Sequence, residues 1–223
     1  MFSKDSARQA DACRFCWMCR HICPVAGATG SEAWTPRARG LMISMIERGT
    51  EFDKDIAEAM YHCTLCDACA NDCVTGYKPS EYTREARMRA VVEDLAPAAV
   101  IKMIDTISEC GNIFGLSAMG KLFEKAGKLP EKAEVLLFIG QTAEAMRADT
   151  GVHAISILKK AGIDFTVLAD EPASGAYLGE LMGYTGDVQA VAAHTAKMIA
   201  DTGAKTLVVL NPADAAMFKE QYG

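Results

Sequence analysis

Apolar positions at helical spacing fill the first half of the chain. Thr35 and Pro36 are typical of a helix N-cap and a first helical position, and Gly49 is typical of the residue that ends such a helix. The apolar positions between them recur at the spacing of one helix face, and they are Leu41, Met42, Met45 and Ile46. The pattern therefore predicts a helix that is buried along this face.

Further helices are predicted on both sides of this one. Residues 1–12 form a short helix before the first cysteines, and Asp53 opens another that runs through Met60 to a second group of cysteines. Pro79 begins a third helix, whose apolar positions include Tyr82, Ala86, Val91 and Val92. Residues 1–130 are therefore predicted to be helical and connecting sequence.

The pattern changes beyond residue 130. Buried strands are predicted at three apolar runs, which are 134–139, 165–168 and 205–210. Helices are predicted between the strands and after the last one, the first as a single helix over 142–160. Strands that alternate with helices imply a parallel sheet with helices packed on it. The predicted fold class is α+β, with an all-helical domain at 1–130 and a small α/β domain with a parallel sheet at 131–223.

The composition restricts the class of protein. The chain has 223 residues, half of them hydrophobic, and a formal net charge of −6. No apolar run reaches the roughly 18 residues that span a bilayer, so no transmembrane segment is expected. The first residues mix charges and lack the apolar core of a secretory signal, so a cytoplasmic location is expected. Nucleic acid is not an expected partner, because no basic patch is present.

Eight of the nine cysteines fall into two copies of the spacing C-x₂-C-x₂-C-x₃-C. The first run is Cys13, Cys16, Cys19 and Cys23, and the second run is Cys63, Cys66, Cys69 and Cys73. This is the run of bacterial ferredoxins, in which three closely spaced thiolates hold three irons of a [4Fe–4S] cube. The repeat predicts two [4Fe–4S] clusters as the cofactors.

In two-cluster ferredoxins the fourth thiolate of each cluster comes from the other run. By that logic, one cluster is expected on Cys13, Cys16, Cys19 and Cys73. The other cluster is expected on Cys63, Cys66, Cys69 and Cys23. These eight cysteines are the predicted cofactor and metal ligands, and no catalytic residue is assigned.

Disulfides and zinc are the alternatives to iron–sulfur clusters. A reducing cytosol favours metal or redox chemistry over disulfide bonds for such a pattern. Zinc sites usually pair one C-x₂-C with a second pair of ligands, which leaves the third and fourth cysteines of each run unexplained. The double occurrence of the run therefore favours clusters.

Charged and aromatic residues flank the two runs. An oxidised cube with four thiolates is doubly negative, and the cations that could offset this charge are Arg14, Arg20, Lys78, Arg84, Arg87 and Arg89. The same residues could equally form a solvated helix face. Phe15, Trp17 and Tyr61 are expected to shield the clusters from water and so tune their potential. Cys110 stands alone and is interpreted as a packing residue.

Helices, instead of short hairpins, link the two runs, and about 40 residues separate Cys23 from Cys63. With this linkage the pattern resembles the ferredoxin-like iron–sulfur domain of the heterodisulfide-reductase-related proteins. Their kin include the iron–sulfur subunits of glycolate oxidase, anaerobic glycerol-3-phosphate dehydrogenase and similar flavin dehydrogenases. Cys23-Pro24 matches the motif, whereas Val74 stands where proline is usual. Proline contributes no ligand, so this departure leaves the ligand sets intact.

The α/β part resembles the cysteine-rich CCG domain of the same superfamily. In that domain the three strands lead to Gly-Cys, Cys-Cys-Gly and Cys-Pro-x-Cys. The corresponding stretches here are Gly140-Gln141, Ala173-Ser174-Gly175 and Asn211-Pro212-Ala213-Asp214. The turn-forming glycines and proline are present but every thiolate is replaced, and these side chains cannot substitute for soft sulfur ligands. The resemblance implies a degenerate CCG domain that has lost its cluster.

Together these features predict a non-catalytic electron-transfer subunit of an oxidoreductase complex. Gly140-Gln141-Thr142 lacks the glycine-rich fingerprint of a dinucleotide site, so a partner must supply the electrons. The resemblance implies a flavin-dependent dehydrogenase or another oxidoreductase subunit as that partner. One alternative is a catalytic disulfide reductase subunit, and another is an iron–sulfur scaffold or sensor without redox turnover.

Overall fold

The chain divides into two compact units. A computed structural model describes residues 2–14, 16–116, 129–168 and 170–222. The two units are Met1–Lys102 with Gly179–Tyr184, and Met103–Leu178 with Thr185–Gly223. Each unit has its own core, and each is described separately below.

The predicted boundary at residue 130 follows a stretch, 117–128, that lies outside the described residues. The division into 1–130 and 131–223 therefore stays a prediction. Residues 103–110, which we expected in the N-terminal domain, belong to the second compact unit. Phe15, for which we expected a shielding role, also lies outside the described residues.

Helices build the first unit, as the sequence predicts. Up to residue 110 they are α1 (Lys4–Asp11), α2 (Met18–Ile22), α3 (Pro24–Thr29), α4 (Pro36–Glu47), α5 (Lys54–Tyr61), α6 (Ala68–Asn71), α7 (Pro79–Val92) and α8 (Ala98–Cys110). The Thr35 hydroxyl accepts a hydrogen bond from the Ala38 amide at 3.1 Å, and the Asp53 carboxylate accepts one from the Ile56 amide at 2.9 Å. Both predicted N-caps are confirmed.

The core of the first unit lies between α1, α4, α5 and α7. Ile43, Met60 and Tyr82 are fully buried in it. The Tyr77 hydroxyl donates to the Pro36 carbonyl at 2.6 Å and is hydrogen-bonded to the Tyr82 hydroxyl. These contacts hold the start of α4 against the start of α7, and both helices adjoin the loops that carry the cysteines.

The predicted buried face of α4 is partly wrong. Leu41 and Met45 are exposed, whereas Ile43 and Ile46 are buried together with Arg39. The true inner face follows the spacing i, i+4, i+7 from the arginine, because α1 and α7 cover that side of the helix. The prediction misplaced the buried face because one of its residues, Arg39, is charged and was not counted among the apolar positions.

Two helical glycines of the first unit offer a test of this packing. A methyl group at Gly40 in α4 would overlap the buried Tyr77 hydroxyl, whereas nothing lies within 4 Å of the equivalent position at Gly27 in α3. We expect Gly40→Ala to lower the free energy of unfolding by about 1–3 kcal/mol, because Tyr77 must move. Gly27→Ala should be neutral or stabilise by up to about 1 kcal/mol, because alanine favours helix. Anaerobic thermal unfolding compares the two, and equal losses would contradict the packing.

A three-stranded parallel sheet forms the centre of the second unit. Its strands are β1 (Val135–Phe138), β2 (Phe165–Thr166) and β3 (Thr206–Val209), in the order β2-β1-β3. Val135 pairs with Phe165 on one side and with Thr206 on the other, both in parallel register. The predicted α+β fold class is confirmed, although each strand is shorter than predicted.

The helices after β1 are α9 (Gln141–Met146), α10 (Ala148–Lys160), α11 (Ala176–Met182), α12 (Gly186–Asp201) and α13 (Pro212–Gln221). The single helix predicted over 142–160 is two helices, because the backbone leaves helical geometry at Arg147, with φ −140° and ψ 55°. Helix α11 was not predicted from the sequence. In the ranges that the structure describes, no helix is long and apolar enough to cross a membrane.

Candidate metal centres

Two cavities of the first unit collect the eight repeated cysteines. The first cavity is lined by Cys13, Cys16 and Cys19 of the first run together with Cys73, the last cysteine of the second run. Cys69 also borders it. The sulfur ligands of this cavity therefore come from both runs.

The second cavity has the reciprocal composition. It is lined by Cys63, Cys66 and Cys69 of the second run together with Cys23, the last cysteine of the first run. Pro24 begins α3 directly after Cys23, and α7 contributes Ser80 to the wall. The expected ligand sets, each with three cysteines of one run and one of the other, are therefore among the residues that line the two cavities. Because Cys69 borders both cavities, the assignment of each cysteine to a cluster stays a prediction.

The two cysteine loops share an unusual backbone conformation. Trp17 and Asp67, which directly follow the second cysteine of their runs, have φ angles of 75° and 55°. Leu65, one residue before Cys66, has φ 52°. Non-glycine residues in this left-handed region cost about 1–3 kcal/mol each and persist where the surroundings require them. The repeat at equivalent positions indicates that both loops are shaped for the same task.

Cys19 and Cys69 are costly to deprotonate without a nearby cation. Burial, together with repulsion from the Cys63 thiolate, raises the pKa of Cys69 to about 12. Burial also raises the pKa of Cys19, and the neighbouring Cys13 and Cys16 thiolates add to the increase. The deprotonated sulfurs that a metal needs are thus unfavourable until iron supplies positive charge.

Cys73 differs from Cys19 and Cys69 in the direction of its pKa shift. Burial alone would raise its pKa, but hydrogen bonds from the Thr75 hydroxyl and from the Thr75 and Tyr77 amides lower it overall. The sulfur lies 3.2 Å from the Thr75 hydroxyl oxygen. Such hydrogen bonds orient a ligating sulfur and stabilise its charged form.

Arg39 is buried in the wall of the second cavity. It is only 1% exposed, and its Nη1 donates to the Trp34 carbonyl at 2.7 Å. Its Nε has no hydrogen-bond partner, and no carboxylate of the described residues lies within ion-pair distance of it. An unpaired buried charge destabilises a protein by several kcal/mol. This side of the cavity therefore fits an anionic occupant, such as a cluster with four thiolates.

Arg87 is a second buried cation beside the same cysteines. It is 5% exposed, and its Nη2 donates to the Cys63 carbonyl at 2.5 Å and to the Met60 carbonyl at 2.9 Å. Its Nη1 donates to the Glu180 carbonyl. Burial lowers the pKa of Arg87, although the Cys63 thiolate opposes that effect. Arginine nevertheless remains protonated in proteins, so its charge acts on the cysteine loop that begins at Cys63.

The cations near the first cavity are paired or exposed instead. Arg37 lines that cavity but forms an ion pair with Glu32 at 3.1 Å. Arg20 shares the same carboxylate. Arg14 is exposed and donates to the Asp11 carbonyl. The sequence left two interpretations of the flanking cations open. Arg87 is buried, as a cation that offsets a cluster's charge would be, whereas Arg14 is exposed to solvent.

An apolar rim surrounds the opening of the first cavity. Trp17 and Met18 are each 47% exposed, and Val74 is 86% exposed. The Arg37 guanidinium stacks on the Trp17 ring at 3.8 Å from its centroid, which holds the indole in place. Tyr61, for which we expected a shielding role, lines neither cavity, and its hydroxyl donates to the Leu181 carbonyl at 3.0 Å. The aromatic side chains that line the first cavity are Trp17 and Tyr77.

The cysteine sets suit a cluster by their chemistry. Cysteine thiolates are the donors that [4Fe–4S] cubes take, with one sulfur on each iron, and each cavity is lined by at least four cysteines. Among the described residues, no three His, Cys, Asp or Glu side chains are placed to hold a single metal ion. Cys110, interpreted from the sequence as a packing residue, is exposed; it belongs to the second unit and lines neither cysteine cavity.

In the second unit, the positions that correspond to CCG cysteines meet at one cavity. Gln141, Ala173, Ser174 and Asp214 line a space of about 90 Å³ beyond the carboxyl ends of the strands. Ser174 donates to the Asp214 carboxylate at 2.5 Å, and Gln141 donates to the Gly111 carbonyl at 2.8 Å. Hydrogen bonds therefore hold these positions together where the resemblance places thiolates in other proteins.

Two buried carboxyl groups lie in this part of the second unit: Asp214 lines the cavity just described, and Glu171 lines a second cavity that shares Gln141 and Ala173 with it. Burial raises the pKa of Glu171 to about 8, even though the Ile139 and Gly140 amides donate to its carboxylate at 2.8 and 2.6 Å. Burial also raises the pKa of Asp214, whereas hydrogen bonds from Ser174 and Asn211 partly oppose the increase. Oxygen donors of this kind are poor replacements for thiolates in binding iron–sulfur clusters.

Comparison with known proteins agrees with the first-unit site. Residues 9–77 match the family model described as a 4Fe-4S dicluster domain, a range that contains both cysteine runs. No solved structure matches the chain significantly.

Two curated relatives extend beyond that range. A probable membrane-anchored ferredoxin of Chromohalobacter salexigens is 27% identical over 175 residues, which cover 75% of this chain and 26% of the relative. One subunit of the dihydromethanophenazine:CoB–CoM heterodisulfide reductase of Methanosarcina acetivorans is 25% identical over 182 residues, which cover 73% of this chain and 44% of the relative. The chain thus spans about a quarter of one relative and less than half of the other.

Proposed function

We propose that this chain, an iron–sulfur protein related to heterodisulfide reductase, carries two [4Fe–4S] clusters and relays electrons for a flavin-dependent dehydrogenase. The observation that carries the proposal is the reciprocal lining of the two cavities. Each cavity is lined by three cysteines of one run and the last cysteine of the other, and Cys69 also borders the first cavity. When bound, each cluster can accept and release one electron.

The protein side chains support this role in distinct ways. The eight cysteines would be the ligands, four to each cluster. Thr75 orients Cys73, and the buried Arg39 and Arg87 supply positive charge beside the second cavity. Trp17 and Val74 limit the access of water to the first cavity while leaving it near the surface.

A flavin partner suits a protein with two one-electron sites. A reduced flavin releases two electrons and two protons when it is oxidised, so two sites can take up both electrons. The turn after β1, Gly140-Gln141-Thr142, lacks the G-x-G-x-x-G that brings backbone against a dinucleotide pyrophosphate. The partner would therefore bind the flavin, and we place both proteins in the cytoplasm.

The chemistry of the second unit does not favour a catalytic disulfide reductase. That activity would need thiolate ligands at positions that hold Gln141, Ser174 and Asp214. We infer that the second unit serves as a docking and spacing element without a cluster of its own.

Metal analysis tests the cofactor part of this proposal. We expect anaerobically prepared protein to contain about eight iron and eight acid-labile sulfide per chain, because each of the two sites holds four of each. Visible absorbance should bleach on mild reduction and return on reoxidation. Stoichiometric zinc without sulfide would exclude clusters, and clusters that never change oxidation state would favour the structural or sensor role.

A second experiment tests the partner. A flavoprotein that co-purifies from the native host should reduce the clusters when given its own substrate, while the chain alone should oxidise none of the candidate substrates. Oxidation of a substrate by the purified chain without a flavoprotein would contradict the relay.

A further inference from the structure

The two cysteine cavities differ in the charges around them. Beside the second cavity, Arg39 and Arg87 are 1% and 5% exposed, and no carboxylate of the described residues forms an ion pair with either. One acidic residue, Asp67, also lines this cavity. Glu180, whose carbonyl accepts a hydrogen bond from Arg87, also acts on Arg87 through its charge.

At the first cavity the balance is different. Its lining includes Arg14, Arg37 and Asp72. Arg37 forms an ion pair with Glu32, a carboxylate that it shares with Arg20, although its Nε has no hydrogen-bond partner. Arg14 is exposed to solvent, which screens its charge. The first cavity is therefore lined by one ion-paired cation and one screened cation, whereas Arg39 and Arg87 are buried and form no ion pair with a described carboxylate.

Resting on the proposed function, we infer that the buried charges of Arg39 and Arg87 raise the reduction potential of the cluster in the second cavity. This cluster, on Cys23, Cys63, Cys66 and Cys69, would then be the more easily reduced of the two. Reduction adds one negative charge to a site that already carries four thiolates. A buried cation stabilises that added charge more than an exposed one does, because the protein interior screens charges less than water. Electrons would consequently collect at the second site.

Arg87 acts on this site through the backbone. It donates to the Cys63 and Met60 carbonyls and to the Glu180 carbonyl, so its charge is fixed beside the first cysteine of the second run. Arg39 is held by the Trp34 carbonyl, lines the second cavity, and has a buried Nε without a hydrogen-bond partner. Neither guanidinium can move away from the site without losing these bonds.

The test is a redox titration with dithionite, followed by electron paramagnetic resonance, on full-length protein with its iron content measured. Wild-type protein should show two separate midpoint potentials. Arg39→Gln should shift the higher midpoint to a more negative value and leave the lower one nearly unchanged, and Arg39→Lys, which keeps the charge, should restore most of the shift. Arg37→Gln, on the same helix but paired with Glu32, is the matched control and should produce a clearly smaller shift.

The inference is wrong if Arg39→Gln leaves both midpoint potentials unchanged or shifts both by the same amount. It is also wrong if Arg37→Gln shifts the higher midpoint potential as much as Arg39→Gln does. If Arg39→Gln binds less iron than the wild type, the same titration of Arg87→Gln decides by the same criteria. Failure of the proposed function is distinguishable, because it would appear as missing iron or missing reducible signals in the wild-type protein itself.

Discussion

Cys73→Ser is expected to remove about four of the roughly eight irons per chain. Cys73 lies in the second run but lines the cavity of the first, so its loss should empty the site of Cys13, Cys16 and Cys19. The paramagnetic signal that remains in Cys73→Ser should therefore match the signal that remains in Cys16→Ser. By the same argument, Cys23→Ser should match Cys66→Ser.

The pairing of these spectra decides whether the ligand sets are crossed. If Cys73→Ser instead matches Cys66→Ser, each run holds its own cluster and the reciprocal assignment is wrong. Cys110→Ser is the control, since it removes an exposed cysteine of the second unit and should keep the full iron content. Iron analysis and electron paramagnetic resonance on anaerobic samples provide both readouts.

Val74→Glu is expected to slow electron transfer from the partner about tenfold or more. Val74 is 86% exposed on the rim of the first cavity, next to Cys73, and Trp17 and Met18 continue the same rim. A protein that docks against this rim would have to bury the new carboxylate. A cost of about 1.4 kcal/mol corresponds to one factor of ten. Anaerobic stopped-flow measurement of cluster reduction by the co-purified flavoprotein gives the rate.

Val92→Glu is the matched control for this experiment. Val92 is also a highly exposed valine of the first unit, but it lies at the end of α7 and lines neither cysteine cavity. Its replacement should leave the rate within a factor of about two. Equal slowing in both variants would indicate a general charge effect, and an unchanged rate in Val74→Glu would place the docking surface elsewhere.

The order of elements could be predicted from the sequence because caps and periodicity are local signals. Thr35 and Asp53 cap the helices that they were expected to cap, and the three strands lie within the predicted runs. The break at Arg147 was missed because both flanking segments have helical composition. The buried face of α4 was misplaced because burial depends on the helices that cover it, which no local window contains.

For the candidate site, the sequence predicts the ligands but not the charges around them. The cysteine spacing gives the ligand candidates, since three thiolates separated by two residues each can reach one cube. The role of Arg39 was not foreseen, although its spacing of four and seven residues from Ile43 and Ile46 would have placed it on the inner face. Arg87 was named among the flanking cations, but only tertiary structure distinguishes it from Arg89, which pairs with Glu93 at the surface.

The inclusion of residues 179–184 in the first unit has a consequence for how the protein is synthesised. Glu180 and Leu181 supply carbonyls to Arg87 and Tyr61, yet they are translated about 80 residues after the rest of that unit. At about 5–20 residues per second this delay is roughly 4–16 s. During that time the cysteine loops emerge from the ribosome beside an arginine whose contacts are incomplete. We therefore expect iron insertion to follow translation, with the nascent loops depending on a reducing environment or a chaperone until residue 184 has been added.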